Sequence, residues 1–388
     1  MAEKVFEIFK KKLEKLKEEK LYRSIRDIES RQGMEIIIQG RKYINFASND
    51  YLGLSQHPLV KEAALEAIKL FGAGGGASRL LSGGTILHKK LEELLCQFKN
   101  TESCLVLNSG YTANTSLIAC LAQENDVIFS DELNHASIID GCRLSKAERI
   151  IYRHGDIEDL QRLIKNTSCK GKKIVITDTV FSMDGDIAPI RELYEICKNE
   201  NALLYLDDAH GTGVLGDGHG ALKHFGLKPE PFVIQMGTLS KAVGVFGAFV
   251  CGVSSIIEWF VNSARGFIFS TSLPASIVAS SYASLKIIMQ DKELIKRLWQ
   301  NTEKVMETIK SLELKTTKTQ TPIIPILFNN VEEAIKASKI LNDSDIYAPV
   351  IRPPTVKTPR IRITVTAAHT ERDIEKLSEA LALLRSIL

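Results

Sequence analysis

The sequence predicts a three-layer α/β fold in which helices cover both faces of a mostly parallel, seven-stranded sheet. Its 388 residues are enough for two or three domains. Seven short apolar runs alternate with helical patterns in the middle of the chain, as expected for strands joined by crossover helices. Several of these runs are continuously apolar, which is typical of strands buried on both faces. The runs are Ser103 to Leu107, Asp126 to Phe129, Arg149 to Tyr152, Lys173 to Thr177, Leu203 to Leu206, Phe232 to Met236 and Ala248 to Cys251.

The last of these runs follows the sixth too closely for a helix to lie between them. Parallel neighbours need a crossover connection of about a dozen residues or more, which usually contains a helix. We therefore expect Ala248 to Cys251 to run antiparallel to the strand beside it.

Residues 1–55 are predicted to form an arm outside the sheet domain. Apolar side chains recur at helical spacing from Glu3 to about Tyr22, with lysines and glutamates on the other face. Such a helix would pack on the body of the protein or on a partner subunit. Two strand-like runs, Met34 to Ile38 and Lys42 to Phe46, flank a short polar turn and predict a hairpin.

The large domain, residues 56–280, opens with two helices around a glycine cluster. The first helix runs from His57 to about Leu70, and the second from Thr85 to Phe98. Gly72 to Ala77 fits G-x-G-x-x-A, but a dinucleotide site needs a strand before it and a helix directly after it. Both are missing here. We expect either a flexible loop or a loop that lets a ligand or a neighbouring subunit approach the backbone.

After about residue 280 the pattern changes to that of a smaller α+β domain, residues 281–388. A long helical stretch is followed by a strand, a helix, a second strand and a final helix. In order, these are Ser284 to Leu312, Thr321 to Phe328, Asn330 to Leu341, Arg360 to Val365 and Glu371 to Leu388.

Composition argues against several classes of protein. Fifty basic and 47 acidic residues give a net charge of +3, which is too balanced for a dense nucleic-acid-binding patch. No run approaches the roughly 20 apolar residues that span a bilayer, and the N-terminus lacks an apolar signal core. The seven cysteines form no C-x-x-C pair, so we expect reduced, structural thiols and no metal site. These features predict a cytoplasmic protein with neither a membrane nor a nucleic-acid partner.

Polar residues follow several predicted strands, where α/β sheets bind ligands. Leu107 leads into a turn and a helix start, whose exposed N–H groups suit phosphate. Asp207 ends a buried strand and needs a cationic partner, which a pyridinium nitrogen would supply. His135 follows another strand and is either a capping histidine or a ring that stacks on a flat cofactor.

Lys241 is a candidate for Schiff-base chemistry. A lysine is ordinarily a solvated surface charge, but the neighbours of Lys241 are small and apolar from Gly244 to Gly247. An amine nucleophile must be partly deprotonated, and desolvation or a nearby cation would lower its pKa.

Six stretches, taken in order, resemble the fold-type I enzymes that use pyridoxal 5'-phosphate, and specifically the α-oxoamine synthases. The resemblance covers nearly the whole chain. The matching stretches are Asn49 to Leu54, Gly74 to Arg79, Asp131 to Ser137, Phe181 to Asp186, Asp207 to Gly211 and Thr238 to Lys241.

The resemblance implies a role for each residue of the cofactor site. Lys241 would carry the cofactor covalently and later move the substrate proton. Asp207 would pair with the pyridinium nitrogen, and His210 would hydrogen-bond the ring's phenolate oxygen. His135 would stack on the ring, and both histidines are candidates to polarise a substrate carbonyl.

The remaining cofactor residues follow from the same resemblance. The phosphate-cradle positions match Gly110, Tyr111 and Thr238. Thr271 resembles a phosphate contact that the second subunit provides, which implies a homodimer with a shared active site. Ser182 and Asn49 match polar positions near the cofactor and the substrate.

The run Arg352 to Val356 resembles a signature of the branch that condenses L-alanine with a pimeloyl thioester and releases carbon dioxide. Arg352 would hold the amino-acid carboxylate through a bidentate fork, with Thr355 beside it. Arg23 follows the arm helix as in that branch and would meet the distal carboxylate of the pimeloyl chain; otherwise it is a surface arginine.

One departure from the family pattern leaves the acyl donor open. Lys357 to Pro359 replace the usual Pro-x-Gly near the substrate mouth, so the carrier is either coenzyme A or an acyl carrier protein. The nearest alternative activity is glycine C-acetyltransferase, or a relaxed enzyme of the same family. An aminotransferase on the same fold and a non-catalytic cofactor-binding protein are the alternatives from other classes.

Overall fold

The N-terminal segment forms a helix and a hairpin in the computed structural model, which describes residues 2–386. These elements are α1 (Ala2–Glu18), β1 (Glu35–Ile38) and β2 (Arg41–Asn45). Helix α1 ends at Glu18, whereas the sequence predicted an end at about Tyr22. Lys20 adopts a left-handed φ of 56°, and the Leu21 and Tyr22 amides both bond back to the Leu16 carbonyl. This turn stops the helix.

The central sheet has seven strands in the order β3-β9-β8-β7-β6-β4-β5, which confirms the predicted fold class. All neighbours are parallel except β9, which runs antiparallel to both β8 and β3, as the short connection predicted. The strands are β3 (Ser103–Leu107), β4 (Val127–Asp131), β5 (Glu148–Tyr152), β6 (Lys173–Asp178), β7 (Leu203–Asp207), β8 (Val233–Thr238) and β9 (Ala248–Gly252).

Helices cover both faces of this sheet because alternate strand residues point to opposite sides. Val175 of β6 belongs to one buried apolar cluster, while its neighbours Ile174 and Ile176 belong to the other. The helices of this part are α2 (Pro58–Phe71), α3 (Ile86–Lys99), α4 (Gly110–Leu121), α5 (Ala136–Leu144), α6 (Ile157–Asn166), α7 (Ile190–Asn199), α8 (Ala221–His224), α9 (Ser254–Ser263), α10 (Arg265–Ile268) and α11 (Ala275–Gln290).

The helical stretch predicted from Ser284 to Leu312 is interrupted, so that prediction was wrong at one point. Helix α11 ends at Gln290, and α12 (Lys292–Ser311) begins two residues later. Asp291 lies between them, and its carboxylate accepts a hydrogen bond from the Glu293 amide at 3.0 Å. An aspartate at this position starts a new helix as its N-cap and does not continue the old one.

The C-terminal elements build one three-stranded sheet and contribute a strand to another. They are β10 (Ile323–Leu327), α13 (Val331–Asp343), β11 (Ile346–Tyr347), β12 (Val350–Ile351), β13 (Arg360–Thr364) and α14 (Glu371–Ala382), followed by a short 3-10 turn, Leu383–Ser386. Strand β13 lies between β10 and β12. The last two residues of the predicted final helix, 387 and 388, lie outside the described residues.

The N-terminal hairpin joins this C-terminal part, because β11 pairs in parallel with β2. Ile44 and Phe46 are buried in the same apolar cluster as Ile361 and Ile363 of β13. The division into residues 1–55, 56–280 and 281–388 stays a prediction. Within residues 2–386, no helix is both long enough and apolar enough to cross a membrane.

Candidate active site

Asp207 lies at the carboxyl end of β7, where parallel strands present ligand-binding residues. Its side chain is buried and accepts hydrogen bonds from Asn114 Nδ2 at 2.7 Å and from the Ala209 amide at 3.0 Å. Burial raises the pKa of the Asp207 carboxyl, while the charge of Lys241 and these hydrogen bonds act in the opposite direction. A cation bound against Asp207 would therefore hold the carboxyl ionised.

Asn114 was not predicted as a site residue, but it orients Asp207. Its amide also donates to Ser137 Oγ at 2.9 Å, and its carbonyl oxygen accepts from the Tyr205 hydroxyl at 2.9 Å. All four side chains are buried, so each polar group needs a partner. The signal in the sequence was a single asparagine on the apolar face of a helix.

Lys241 lies in the loop between β8 and β9, and its side chain is half-buried. Within residues 2–386, its ammonium has no hydrogen bond or ion pair. Burial lowers the pKa of Lys241, against the opposing charges of Asp207 and Asp178. A lowered pKa makes the neutral amine accessible, which nucleophilic and general-base chemistry both require.

His210 and Tyr51 form a buried pair beside this lysine. The Tyr51 hydroxyl lies 2.7 Å from His210 Nδ1. Burial lowers the pKa of His210 well below its usual range and raises the pKa of Tyr51. The imidazole is thus neutral and the phenol protonated at pH 7. When the phenol donates to Nδ1, His210 Nε2 carries the ring proton and can donate it to a ligand oxygen.

His135 is held at the start of α5 with its ring exposed. Its amide donates to Asp178 Oδ2 at 2.6 Å, and its Nδ1 lies 2.7 Å from Ser137 Oγ. These contacts fix the backbone and one ring nitrogen. They leave the ring free to stack on a flat ligand.

The predicted phosphate cradle is partly assembled at the start of α4. A Cβ added at Gly110 would lie only 2.6 Å from Thr238 Cγ2, so the two residues are in close approach. The Thr238 hydroxyl is buried and has no partner among the described residues. Tyr111 is exposed, and its hydroxyl donates to Asp140. Thr271 is also exposed, and its carbonyl accepts from Asn108 Nδ2 at 2.7 Å.

Substituting Gly110 with alanine should weaken binding of the phosphorylated cofactor about 5- to 150-fold, because the new methyl group would push Thr238 out of the cradle at a cost of about 1–3 kcal/mol. Cofactor titration followed by visible absorbance measures the change. Gly252→Ala is the matched control, since the nearest atom to its added Cβ is 3.7 Å away. Equal affinities of the two variants would contradict this account of the cradle.

Arg362 is the second site residue that the sequence reasoning missed. It extends from β13, where Nη1 donates to the Ser182 carbonyl at 3.0 Å and Nη2 donates to Asn49 Oδ1 at 2.8 Å. Burial lowers the pKa of Arg362, and its charge in turn lowers the pKa values of His210 and Lys241. The Asn49 side chain and the Ser182 carbonyl thus both contact Arg362, whose charge acts on Lys241.

The other predicted substrate residues lie together in a different place. Arg23 donates to Thr355 Oγ1 at 2.9 Å, and Arg352 donates to the Tyr22 carbonyl. They line a cleft between the arm and the C-terminal part that also contains Arg26 and Lys339. We call this the arm cleft. The role predicted for Arg352, on the amino-acid carboxylate, stays a prediction, and Arg362 is the arginine that contacts Asn49 and Ser182.

The residues present fit pyridoxal phosphate. A buried acid, an amine of lowered pKa and a neutral histidine with a free ring nitrogen suit the pyridinium, the aldehyde and the phenolate oxygen respectively. The unpartnered Thr238 hydroxyl, at the end of β8 and close to the start of α4, suits the phosphate. Fold and site together define a fold-type I pyridoxal-phosphate enzyme.

Comparison with known proteins gives the family. Residues 41–381 match the family model for aminotransferase class I and II. A putative 8-amino-7-oxononanoate synthase of Thermodesulfovibrio yellowstonii is 82% identical over 100% of both chains. The 8-amino-7-oxononanoate synthase of Thermoanaerobacter pseudethanolicus is 44% identical, over 96% of this chain and 95% of that one. Serine palmitoyltransferase from S. paucimobilis, solved with a pyridoxal phosphate–myriocin adduct, has a TM-score of 0.93 and 30% identity, covering 99% and 98% of the two chains.

The chain belongs to the aminotransferase class I and II family and, within it, to the α-oxoamine synthases. The family and fold class predicted from the sequence are confirmed. The expectation of pyridoxal phosphate is confirmed with them, since the structural relative binds it.

Proposed function

We propose that this protein is an 8-amino-7-oxononanoate synthase, which condenses L-alanine with a pimeloyl thioester, releases carbon dioxide and the free thiol, and serves biotin biosynthesis in the cytoplasm. The observation that carries the proposal is that Lys241, an amine of lowered pKa, lies within the electrostatic influence of the buried acid Asp207. The relative at 82% identity supports this choice within the family.

When bound, pyridoxal phosphate supplies an electron sink for the charge left at the α-carbon of the amino acid. The neutral amine of Lys241, which burial makes accessible, takes the α-proton at Nζ. Asp207 would hold the ring nitrogen, and Asn114 Nδ2, 2.7 Å from Asp207 Oδ2, keeps this carboxylate oriented. His210 would donate to the ring oxygen, and His135 would cover one face of the ring. Thr238 and Gly110 would hold the phosphate.

Arg362 is the residue that we propose for the carboxylate of L-alanine. Its guanidinium is anchored by the Asn49 side chain and the Ser182 carbonyl, so a substrate carboxylate meets a prepositioned fork. The low-dielectric surroundings that lower its pKa also strengthen its attraction for an anion. After the carbon–carbon bond forms, this carboxylate leaves as carbon dioxide.

The arm cleft is the site that we propose for the anionic end of the acyl donor. Arg23, Arg26, Lys339 and Arg352 all line it, and no aspartate or glutamate of the described residues does. Arg26 also lies over the Tyr347 ring, 5.8 Å from its centroid, which limits its freedom. This charge suits the distal carboxylate of a pimeloyl chain. It also suits the phosphates of coenzyme A or of an acyl carrier protein.

The homodimer is part of the same proposal. Thr271 is exposed, as expected for a residue that completes the cofactor site of a second subunit. Large apolar side chains on and after α2 are also exposed. They are Leu59, Leu65, Ile68, Leu70, Phe71, Leu80 and Leu81. Several large exposed apolar side chains in one part of the chain support association of two copies.

Product analysis tests the function directly. The holoenzyme is incubated separately with L-alanine and pimeloyl-CoA, with glycine and acetyl-CoA, and with L-alanine and a 2-keto acid, and product mass and carbon dioxide are measured. We expect 8-amino-7-oxononanoate and stoichiometric carbon dioxide from the first pair. Faster turnover of the second pair would favour a glycine C-acetyltransferase. Amino transfer to a keto acid without carbon dioxide release would favour an aminotransferase. No turnover of any pair would favour a binding protein.

Substitutions at the two arginine sites should each raise KM for a different substrate. Arg23→Ala should raise KM for the pimeloyl donor about 10-fold or more and leave KM for L-alanine nearly unchanged, since it removes one charge-assisted contact of about 1.5–3 kcal/mol. Arg362→Lys should raise KM for L-alanine, because a lysine cannot form the bidentate fork. Steady-state kinetics with each substrate varied measures both effects. The same change in both KM values would contradict this division of roles.

A further inference from the structure

His154 bridges two acids that belong to different segments of the chain. Its Nδ1 lies 3.0 Å from Asp131 Oδ1, and its Nε2 lies 2.8 Å from Asp186 Oδ2. The edge of one ring meets the face of the other between His154 and Phe181, with centroids 4.4 Å apart at 81°. These three contacts leave the imidazole little freedom to move.

The first acid fixes the segment that carries His135. Asp131 is the last residue of β4, and its carboxylate also accepts from the Leu133 amide at 2.9 Å and the Gly155 amide at 3.0 Å. Any shift of Asp131 would therefore move the turn that leads into His135.

The second acid closes a loop, residues 181–186, which we call the receiving loop. The Phe181 amide donates to the Asp186 carbonyl at 3.1 Å, and the Gly185 amide donates to the Phe181 carbonyl at 2.8 Å. Two arginines of β13 donate hydrogen bonds to the receiving loop. Arg362 bonds to the Ser182 carbonyl at 3.0 Å, and Arg360 bonds to Asp184 Oδ1 at 2.7 Å.

The charges around His154 favour its contacts with Asp131 and Asp186. The groups that face His154 are Asp131 and Asp186 at its ring and Glu132, which accepts from its amide at 3.2 Å. The neighbouring Arg153 points instead to Asp156 and Asp159. Burial lowers the pKa of His154, but the hydrogen bonds and charges of Asp131 and Asp186 outweigh it and raise the pKa to about 10. The imidazolium therefore donates from both nitrogens at neutral pH.

We propose that His154 is a positioning residue: it holds the receiving loop against the turn that carries His135, and so sets the distance between the substrate carboxylate at Arg362 and the ring that stacks on the cofactor. His154 contacts neither the substrate carboxylate nor the His135 ring, and it acts through Asp131 and Asp186. The inference rests on the proposed function, because it assigns the carboxylate to Arg362. A displacement of about 1 Å in such a site is enough to cost about 100-fold in rate.

His154→Phe removes both hydrogen bonds and keeps a ring beside Phe181. We expect kcat/KM for L-alanine to fall about 10- to 100-fold, through a rise in KM, while KM for pimeloyl-CoA changes less than about 2-fold. In the Arg362→Lys background the same substitution should change L-alanine affinity far less, because coupled residues are not additive. Spectral titration of the holoenzyme with L-alanine measures affinity without turnover. His154→Gln is the second variant, for use if His154→Phe does not fold.

His219→Gln is the matched control, because His219 also bonds one protein oxygen and packs on a phenyl ring, Phe98, but lies outside both segments. It should leave both KM values unchanged. Loss of thermal stability in the His154 variants with both KM values unchanged would overturn the proposal, as would equal rises in both. An inactive wild-type enzyme would instead refute the proposed function.

The contacts of His154 with Asp131 and Asp186 can also be tested in the protein without cofactor, through the pH dependence of its free energy of unfolding. The pKa of His154 is raised from 6.5 to about 10 in the folded state, so the native state binds more protons than the unfolded state between these values. The stabilisation is complete below about pH 6.5 and is lost as pH rises through about 10. The difference in free energy of unfolding between the wild type and His154→Phe should therefore shrink from pH 6.5 to 10. A difference independent of pH would show that the imidazolium is not held by the two acids.

Discussion

Replacing Lys241 with alanine should reduce turnover by more than about 10⁴-fold, the scale of loss seen when a covalent catalytic group is removed. Two functions are lost together, since no other described lysine shares this position between Asp207 and Asp178. The variant can no longer bind the cofactor covalently or accept the α-proton. Borohydride reduction followed by mass spectrometry measures the first loss, because it traps the covalent cofactor only in the wild type. Initial rates with L-alanine and pimeloyl-CoA measure the loss of turnover.

Two variants give this experiment its controls. Lys241→Arg keeps the positive charge but has a pKa too high to accept a proton, so it should be as inactive as the alanine variant. Lys286→Ala removes an exposed lysine on α11 and should keep full activity. Retained turnover in Lys241→Ala would remove the basis of the proposed function.

Substituting Lys99 with methionine should destabilise the protein by about 3–5 kcal/mol, the usual cost of leaving one buried charge without its partner. Lys99 Nζ bonds to Asp208 Oδ2 at 2.7 Å, and the two side chains are 1% and 3% exposed. The ammonium also donates to Thr212 Oγ1 at 2.9 Å and to the His219 carbonyl at 2.8 Å. Denaturant unfolding measures the loss.

The surroundings of this pair explain why the cost should be high. Asp208 Oδ1 also accepts from Thr179 Oγ1 at 2.8 Å, and a Cβ added at Gly220 would lie 1.9 Å from Asp208 Oδ2. Both oxygens of the Asp208 carboxylate are therefore closely surrounded by protein atoms. Lys304→Met is the control, because its partner Glu371 is 73% exposed and such pairs contribute about 0–1 kcal/mol. Equal losses for the two variants would show that burial of the Lys99 pair does not matter.

The sheet and the cofactor residues could be read from the sequence because their signals are local. Each strand is a short apolar run; Asp207 follows one directly, and His135 and Lys241 each follow one within a few residues. Arg362 could not be found in this way. Its partner Asn49 is 313 residues away, and the contact depends on how β13 is placed against the receiving loop. The cluster at Asp178 and Asp207 likewise follows from strand register, which pairs the two residues side by side.

Charge pairs inside the fold were missed for a related reason. Lys99 ends a helix among polar neighbours and looks like an ordinary surface lysine, and only the packed structure brings it to Asp208. His154 gave no signal either, because its two acids lie 23 and 32 residues away in opposite directions along the chain. Local pattern identifies which residues have reactive chemistry, whereas distant contacts decide which of them are held in place.

The pairing of β2 with β11 has a consequence for the order of events during synthesis. Strand β2 leaves the ribosome about 300 residues before β11 exists. At about 5–20 residues per second, the nascent hairpin waits roughly 15–60 s for its parallel partner. During that interval Ile44 and Phe46 lack the strands that later bury them. The beginning of the chain can reach its native place only after nearly all of the chain has been translated.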